Sequence, residues 1–235
     1  VCSSDLKFEC VVAQEQSSFR CEHLSCEAFE AEHPWHFHPA FELTWILRSR
    51  GTRYVGDSVE PYDPGDLVLV GPNLPHCWRN DSAQPDLGTP EWVIAQFDPA
   101  CFGAGFLSLA DAAEIRSLLE EARFGVVFGK DAAALIGQHF HDLVQRSGMA
   151  RLVGLIDILD RLSRYPRTML ADTGYHQSNQ VDFMLVERLN RVQQFIADNL
   201  AEEISQSVIA DQLGLSASAF SKFFRAATGR TFMSM

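Results

Sequence analysis

The period of the apolar positions changes along the chain and predicts different kinds of structure in succession. Between about residues 8 and 108, short apolar runs (FECVVA, FELTWILRS, GTRYVG, DLVLVG and WVIAQF) alternate with turn-forming clusters at Gly51, at Gly56 with Asp57, from Pro61 to Gly65 and from Gly71 to Pro75. Many short strands at near-even spacing predict a β-sandwich or barrel. Over 111–123, 131–145 and 149–165 the apolar residues instead recur at three and four, which predicts three helices. In the third, Met149, Leu152, Val153, Leu155, Ile156, Ile158, Leu159 and Leu162 cover more than one face. One face packs on its own domain, and the surplus predicts either a dimer interface or burial on a second side within the chain. The stretch YPRTMLADTGYHQSNQ, 165–180, has no period and collects Pro, Gly, Asn and Gln, the composition of a connector. The expected division is a barrel over 1–108, a helical region over 109–165, a linker over 166–183 and a last unit over 184–235.

That last unit reads as three helices. The first, about 185–200, sets Leu185, Leu189, Val192, Phe195 and Ile196 on one face; a short second one, ending at Leu213, turns Val208, Ile209 and Leu213 inward. Gly214, Leu215 and Ser216 supply a tight turn, the glycine suited to a left-handed helix end and the serine to capping the next helix. The third helix, 217–227, buries Phe220, Phe224 and Phe223 and leaves Ala217, Ser218, Ser221, Lys222 and Arg225 outward. Two short helices across a glycine turn predict a helix-turn-helix whose second helix enters a DNA major groove. Lys222, Arg225 and Arg230 read equally as a solvated face.

Composition narrows the class. With 235 residues, 46% of them hydrophobic, the chain can fill a core. No apolar run nears the roughly 18–20 residues of a membrane span, and VCSSDLKFEC lacks the basic flank and apolar core of a signal peptide, so a cytoplasmic protein without a membrane partner is expected. Cys2, Cys10, Cys21, Cys26, Cys77 and Cys101 show no CxxC pair and are expected to be reduced. The net charge of −12 argues against nucleic acid, but it is unevenly spread: residues 1–183 hold 14 Lys and Arg against 26 Asp and Glu, whereas 184–235 hold five of each. A neutral tail permits DNA binding without demanding it.

The candidate chemistry lies in HPWHFHPAFELTWILRSRG, 33–51. In a strand, side chains alternate, so His36, His38 and Glu42 share one side and Trp35, Phe37, Phe41 and Leu43 the other, although Pro39 interrupts the ladder before Glu42. If the sheet folds back, His76, with Asn80 four residues on, reaches the same cavity. Three imidazoles and a carboxylate suit one divalent ion, Zn²⁺, Ni²⁺, Mn²⁺ or Fe²⁺. They serve equally as a polar lumen that bonds within itself or to a ligand. Trp35, Trp45 and Trp78 are candidates to line the mouth and stack on a sugar or other small molecule, against ordinary core packing. His33 is assigned to the surface.

HFHPAFE, followed by PGD at 64–66 and LPHCWRN at 74–80, resembles the two signatures of the cupin β-barrels. One feature departs: the glycine expected about seven residues after the Glu stands nine away, at Gly51. The resemblance implies a divalent metal on His36, His38, Glu42 and His76. Further on, ISQSVIADQLGLSASAFSKFFRAATGRTF resembles the first helix-turn-helix of the AraC/XylS regulators through Ala210, the LGLS turn at 213–216, Phe220, Phe224 with Arg225, Thr228 with Gly229, and Phe232. Together the two imply an α+β chain: an N-terminal cupin β-barrel (jelly roll), a helical dimerisation region and an all-α helix-turn-helix segment. They imply a homodimeric, ligand-responsive DNA-binding regulator rather than an enzyme, with a small-molecule effector that analogy with related regulators suggests is a carbohydrate. Lys222, Arg225 and Arg230 would hold phosphates, with Ser218, Ser221 and Lys222 nearest the base edges. Family members carry a second helix-turn-helix, and the sequence stops at Met235 where that half would begin, so a truncated domain of weak DNA affinity is expected. Two other readings remain: a metal-dependent cupin dioxygenase or isomerase with the last helices as a dimer clasp, and a sensor module acting on another protein.

Overall fold

The computed structural model describes residues 6–14, 16–25, 35–81, 84, 86–175, 183–199, 205–228 and 231–232. Among the described residues of the first hundred, nine strands form: β1 (Lys7–Phe8), β2 (Arg20–Ser25), β3 (His36–Phe37), β4 (Phe41–Arg48), β5 (Gly51–Val55), β6 (Ser58–Tyr62), β7 (Leu67–Val70), β8 (His76–Asn80) and β9 (Glu91–Phe97). They face each other in two sheets, ordered β1-β3-β8-β5-β6 and β7-β4-β9-β2, in the manner of a jelly roll. Gly51 opens β5 between Tyr62 and Asn80, and a Cβ there would run into the carbonyl oxygen of Arg79. The displaced glycine of the barrel signature thus sits where two strands come close.

Alternation along the strands of the second sheet separates two cores. Ile46, Val68, Val70, Trp92 and Ile94, all even-numbered, pack into the lumen with Val55, Tyr62, Leu74 and Trp78 from the facing side. Leu43, Leu67, Leu69, Val93, Ala95 and Phe97, all odd-numbered, pack outward against the helices α1 (Ala113–Ala122), α2 (Lys130–Gln145) and α3 (Gly148–Ser163). A sheet covered on both faces explains why LVLV in β7 is buried at every position. Of the helical region's apolar surplus, Leu155, Ile158, Leu159 and Leu162 are buried, while Met149 is 71% and Val153 56% exposed.

The expected boundaries need two corrections. Val126–Phe128 forms a strand (β10) on the edge of β7, and Arg167–Met169, inside the predicted linker, forms β11 on the edge of β10. Three-residue strands are too short for their period to show in sequence; the open edge of β7 recruits them by satisfying their backbone groups. Arg167 is clamped by both oxygens of Glu121, and Ala171 and Tyr175 join the lumen core, so the barrel extends to residue 175. The rest of the predicted linker, 176–182, lies outside the described residues.

The last unit comprises α4 (Phe183–Asp198), α5 (Gln206–Gln212) and α6 (Ala217–Thr228). Gly214 takes the left-handed conformation at φ +67°, and Ser216 Oγ caps α6 by accepting from the Ala219 amide at 3.2 Å. Val192, Ile196, Ile209, Ala210, Phe220, Phe224 and Phe232 form its core. Val208, expected inward, is 48% exposed: α5 is under two turns long, and Ile209 and Ala210 occupy its buried side. The described residues of Leu185's helix do not include that side chain. This unit also touches the barrel, where Phe8 and Phe37 meet edge-to-face at 5.4 Å and enclose Leu189 of α4, with Cys10, Phe223 and Ala227 alongside. Among the described residues no helix is long and apolar enough to cross a membrane. Cys10, Cys21, Cys77 and Cys101 carry no disulfide, while Cys2 and Cys26 lie outside the described residues.

Candidate metal centre

His36 sits in β3 directly opposite His76 of β8, which opens the first sheet's contribution to the lumen. His38 follows β3, and Glu42 enters from β4 of the other sheet, three residues beyond the Pro39 break. All four are buried, and one ligand atom from each lies within 4.8 Å of the others. The imidazole centroids stand 4.3 to 5.7 Å apart.

The backbone fixes the ring orientations. His38 Nδ1 lies 3.1 Å from the carbonyl of Ala40, and His76 Nδ1 lies 2.8 Å from that of Leu74, so each Nδ1 carries the proton and donates. Each ring then turns its Nε2 to the centre. For His38 that nitrogen faces Glu42 Oε2 at 3.1 Å, an approach that needs a proton or a cation between the two atoms. Burial, with the charge of His36, pushes His76 down to about 4 against the pull of Glu42, so at neutral pH its Nε2 is unprotonated. This nitrogen is buried without a hydrogen-bond partner, 3.7 Å from Glu42 Oε1. Burial pushes the Glu42 carboxyl up, but His38 and His76 outweigh it and hold it ionised, well below the usual range. An orphaned imidazole nitrogen, a second ring nitrogen aimed at a carboxylate and a fixed ring geometry fit a divalent cation.

Other residues around the centre escape the sequence reading. Thr44 Oγ1 donates to Glu42 Oε1 at 2.6 Å, and Gln96 Nε2 donates to Glu42 Oε2 at 2.8 Å. Gln96, Ile94 and Trp92 occupy the even positions of WVIAQF, so the alternation that selected His36 and His38 also marks these three. Glu9 reaches His36 Nε2 at 3.2 Å and had no motif to flag it.

The tryptophans divide. Trp78 lines the lumen with Trp92 and donates its Nε1–H to Asp66 at 3.2 Å, the aspartate of the PGD turn, which also binds the buried Arg53. Trp45, a candidate for the pocket, is corrected: it is odd-numbered, points out of the lumen and lies against α2 at Gly137. Trp35 is half-buried beside β3 and is not among the lumen-lining residues. The lumen cavity bounded by His36, Glu42, Thr44, Trp78, Trp92, Ile94 and Gln96 is about 20 Å³. That holds a species the size of one water molecule, which needs roughly 10–15 Å³ by this measure, and a sugar ring does not fit without opening the barrel. On α6, Ser218, Lys222 and Arg225 are exposed and Ser221 is half-buried, while His33 and Arg230 lie outside the described residues.

Residues 27–87 match the family profile of the cupin domain. A search of curated proteins found no match. Among solved structures, the chain is similar to ToxT from Vibrio cholerae bound to (E)-4-(8-methylnaphthalen-1-yl)but-3-enoic acid, with 11% identity, 93% of this chain and 98% of that one covered, and a TM-score of 0.53. It is also similar to ToxT of Vibrio cholerae strain SCE256 with an unsaturated fatty acid bound, at 12% identity, 94% and 95% coverage and a TM-score of 0.51. The AraC-like transcriptional activator CuxR aligns at 11% identity over 80% of this chain and 61% of that one, with a TM-score of 0.38. At these identities the likeness to ToxT is one of fold, and it runs through barrel, helices and helix-turn-helix together. A cupin barrel followed by helices and a helix-turn-helix is the architecture that the resemblance to AraC-type regulators implies.

Proposed function

We propose that the chain is a ligand-responsive, DNA-binding transcription regulator of AraC type whose barrel senses a divalent ion, or a small species bound through it, at His36, His38, Glu42 and His76. The observation that carries this reading is the junction of the two units. The strand pair that presents His36 is the one on which the helix-turn-helix unit rests, through Phe8, Phe37 and Leu189. An effector shifts such an equilibrium only by binding one arrangement better than the other, and a centre on the same strand pair as the contact can do so. When bound, the ion would supply positive charge between facing lone pairs. The fatty acid and naphthyl ligands of ToxT do not carry over, since a cavity of about 20 Å³ has no room for them. The same cavity disfavours a cupin oxygenase or isomerase, whose substrate must lie beside the metal.

On DNA, α6 is the recognition helix, with Lys222, Arg225 and Arg230 on phosphates and Ser218, Ser221 and Lys222 toward the bases. The exposed Met149 and Val153, one turn apart on α3, are the surface through which two copies pair.

The test uses the full chain. Metal analysis before and after chelation should find about one ion per chain, lost in His38→Ala while the fold persists. Selection from random duplexes should recover a preferred sequence whose affinity changes between the Zn²⁺-, Ni²⁺-, Mn²⁺- or Fe²⁺-loaded and chelated protein. Failure to retain any duplex in either state would refute the regulator reading; retention indifferent to metal would refute the sensor.

A further inference from the structure

We propose that Glu9, which lies outside the cupin signatures, is a fifth protein ligand of the ion held by His36, His38, Glu42 and His76; the proposal rests on reading that cluster as a metal site. Glu9 Oε2 lies 3.2 Å from His36 Nε2 and 4.0 Å from His38 Nε2. Donors bound to one ion at roughly 2.0–2.2 Å stand about 3 to 4.4 Å from one another. The oxygen therefore keeps a ligand's spacing from two of the four donors. It is the same spacing that His38 Nε2 keeps from Glu42 Oε2, at 3.1 Å, within the four-residue set.

Charge supports the assignment. Three neutral imidazoles and one carboxylate leave a divalent ion with a net positive charge in a buried site, an expensive arrangement in a medium of low dielectric. A second carboxylate brings the centre to neutrality. The two carboxylates are also held as a pair: Gln96 Nε2 donates to Glu42 Oε2 at 2.8 Å and to Glu9 Oε2 at 3.1 Å. Arg20 Nη1 in turn donates to Gln96 Oε1 at 3.1 Å and to Glu9 Oε1 at 3.3 Å, leaving Oε2 as the oxygen facing the centre. Metal ligands are oriented by second-layer donors in this way. Five donors of nitrogen and carboxylate oxygen suit Mn²⁺, Fe²⁺ or Ni²⁺ better than the tetrahedral preference of Zn²⁺.

The strand delivers Glu9 by alternation. The amides of Lys7 and Glu9 donate to the carbonyls of Trp35 and Phe37, each at 2.9 Å, which places the Glu9 side chain on the lumen side and those of Phe8 and Cys10 toward Leu189 and the helix-turn-helix unit. Ligation by Glu9 would thus pin the short strand that the DNA-binding unit touches.

The experiment is Mn²⁺ titration of the full chain, wild type against Glu9→Gln and Glu9→Asp, read by the resonance of free Mn²⁺ and by water-proton relaxation of the bound ion. Ligation predicts that E9Q weakens Mn²⁺ by more than about tenfold, the scale on which even outer-layer changes act, and that its bound ion relaxes water faster because a water replaces the carboxylate. E9D, too short by one methylene, should behave like E9Q. Should E9Q fail to fold, as judged by the melting of the metal-free protein, E9D carries the comparison. An E9Q protein with wild-type affinity and relaxation overturns the proposal while leaving the four-residue site standing. E9D like wild type with E9Q weakened also overturns it, since Glu9 would then act only through its charge. A wild-type chain that binds no Mn²⁺ under replete conditions overturns the proposal and the metal site together.

Discussion

Gly137→Ala tests whether Trp45 belongs to the layer between sheet and helix. A Cβ at 137 would lie 3.0 Å from Trp45 Cε2 and nearer still to Cζ2 and Cη2, against the 3.5–4.0 Å of a relaxed carbon contact. Neither partner gives way easily. Trp45 is fixed in the middle of β4, between β7 and β9, and α2 is anchored by Ala133, Ile136 and Phe140, all buried. Two effects oppose each other. Replacing a mid-helix glycine by alanine gains about 1 kcal/mol of helix propensity, whereas overpacking a filled core costs about 1–3 kcal/mol. A deficit of half an ångström or more at three ring carbons puts the site toward the upper end of that cost, for a net loss of about 1–2 kcal/mol. In a chain of this size this lowers the melting temperature by about 2–8 °C. Thermal melts followed by circular dichroism measure it directly. Trp45→Phe in the Gly137→Ala background removes the obstructing ring and should recover part of the loss, a coupling that a double-mutant cycle isolates. A Gly137→Ala protein that melts at or above the wild-type temperature would refute the packing argument and return Trp45 to the candidates for the pocket.

Two further outcomes follow from the proposed function. Arg225→Ala, on the exposed face of α6, should weaken binding to all duplexes alike and lower the salt dependence by about one phosphate contact; an unchanged salt slope would remove Arg225 from the interface. Met149→Glu combined with Val153→Glu should shift sedimentation from dimer to monomer without lowering the melting temperature of the monomer, because both side chains are exposed in the single chain; an unchanged dimer would place the interface elsewhere.

The parity of the histidine strand predicted the face shared by His36, His38 and Glu42 despite Pro39, because a two-residue period survives a short interruption when the flanking strands belong to one barrel. Applied further along the strands it would have exposed Trp92, Ile94 and Gln96 and set Trp45 apart from the lumen. Glu9 was illegible for another reason: its place comes from a two-residue parallel pairing with β3, too brief to leave a pattern. Strands β10 and β11 were missed likewise, as edge additions defined by an open partner rather than by their own composition. The turn at Gly214 and the buried Phe220 and Phe224 were legible because capping chemistry and a 3.6-residue period act locally. Val208 was misplaced because seven residues do not fix the phase of a helix.

Strand β1 runs parallel to β3 for only two residues, and the amides of Lys7 and Glu9 complete its backbone attachment to it. Segments held by so few contacts open at a fraction of the global unfolding free energy, so these two amides should exchange with solvent well before those of β4 or β9. Their protection factors therefore form a built-in gauge. Ion binding in the lumen and docking of the helices on the opposite side both act on the same two hydrogen bonds, so slowed deuterium uptake at Lys7 and Glu9 would register either event at a single place in the chain.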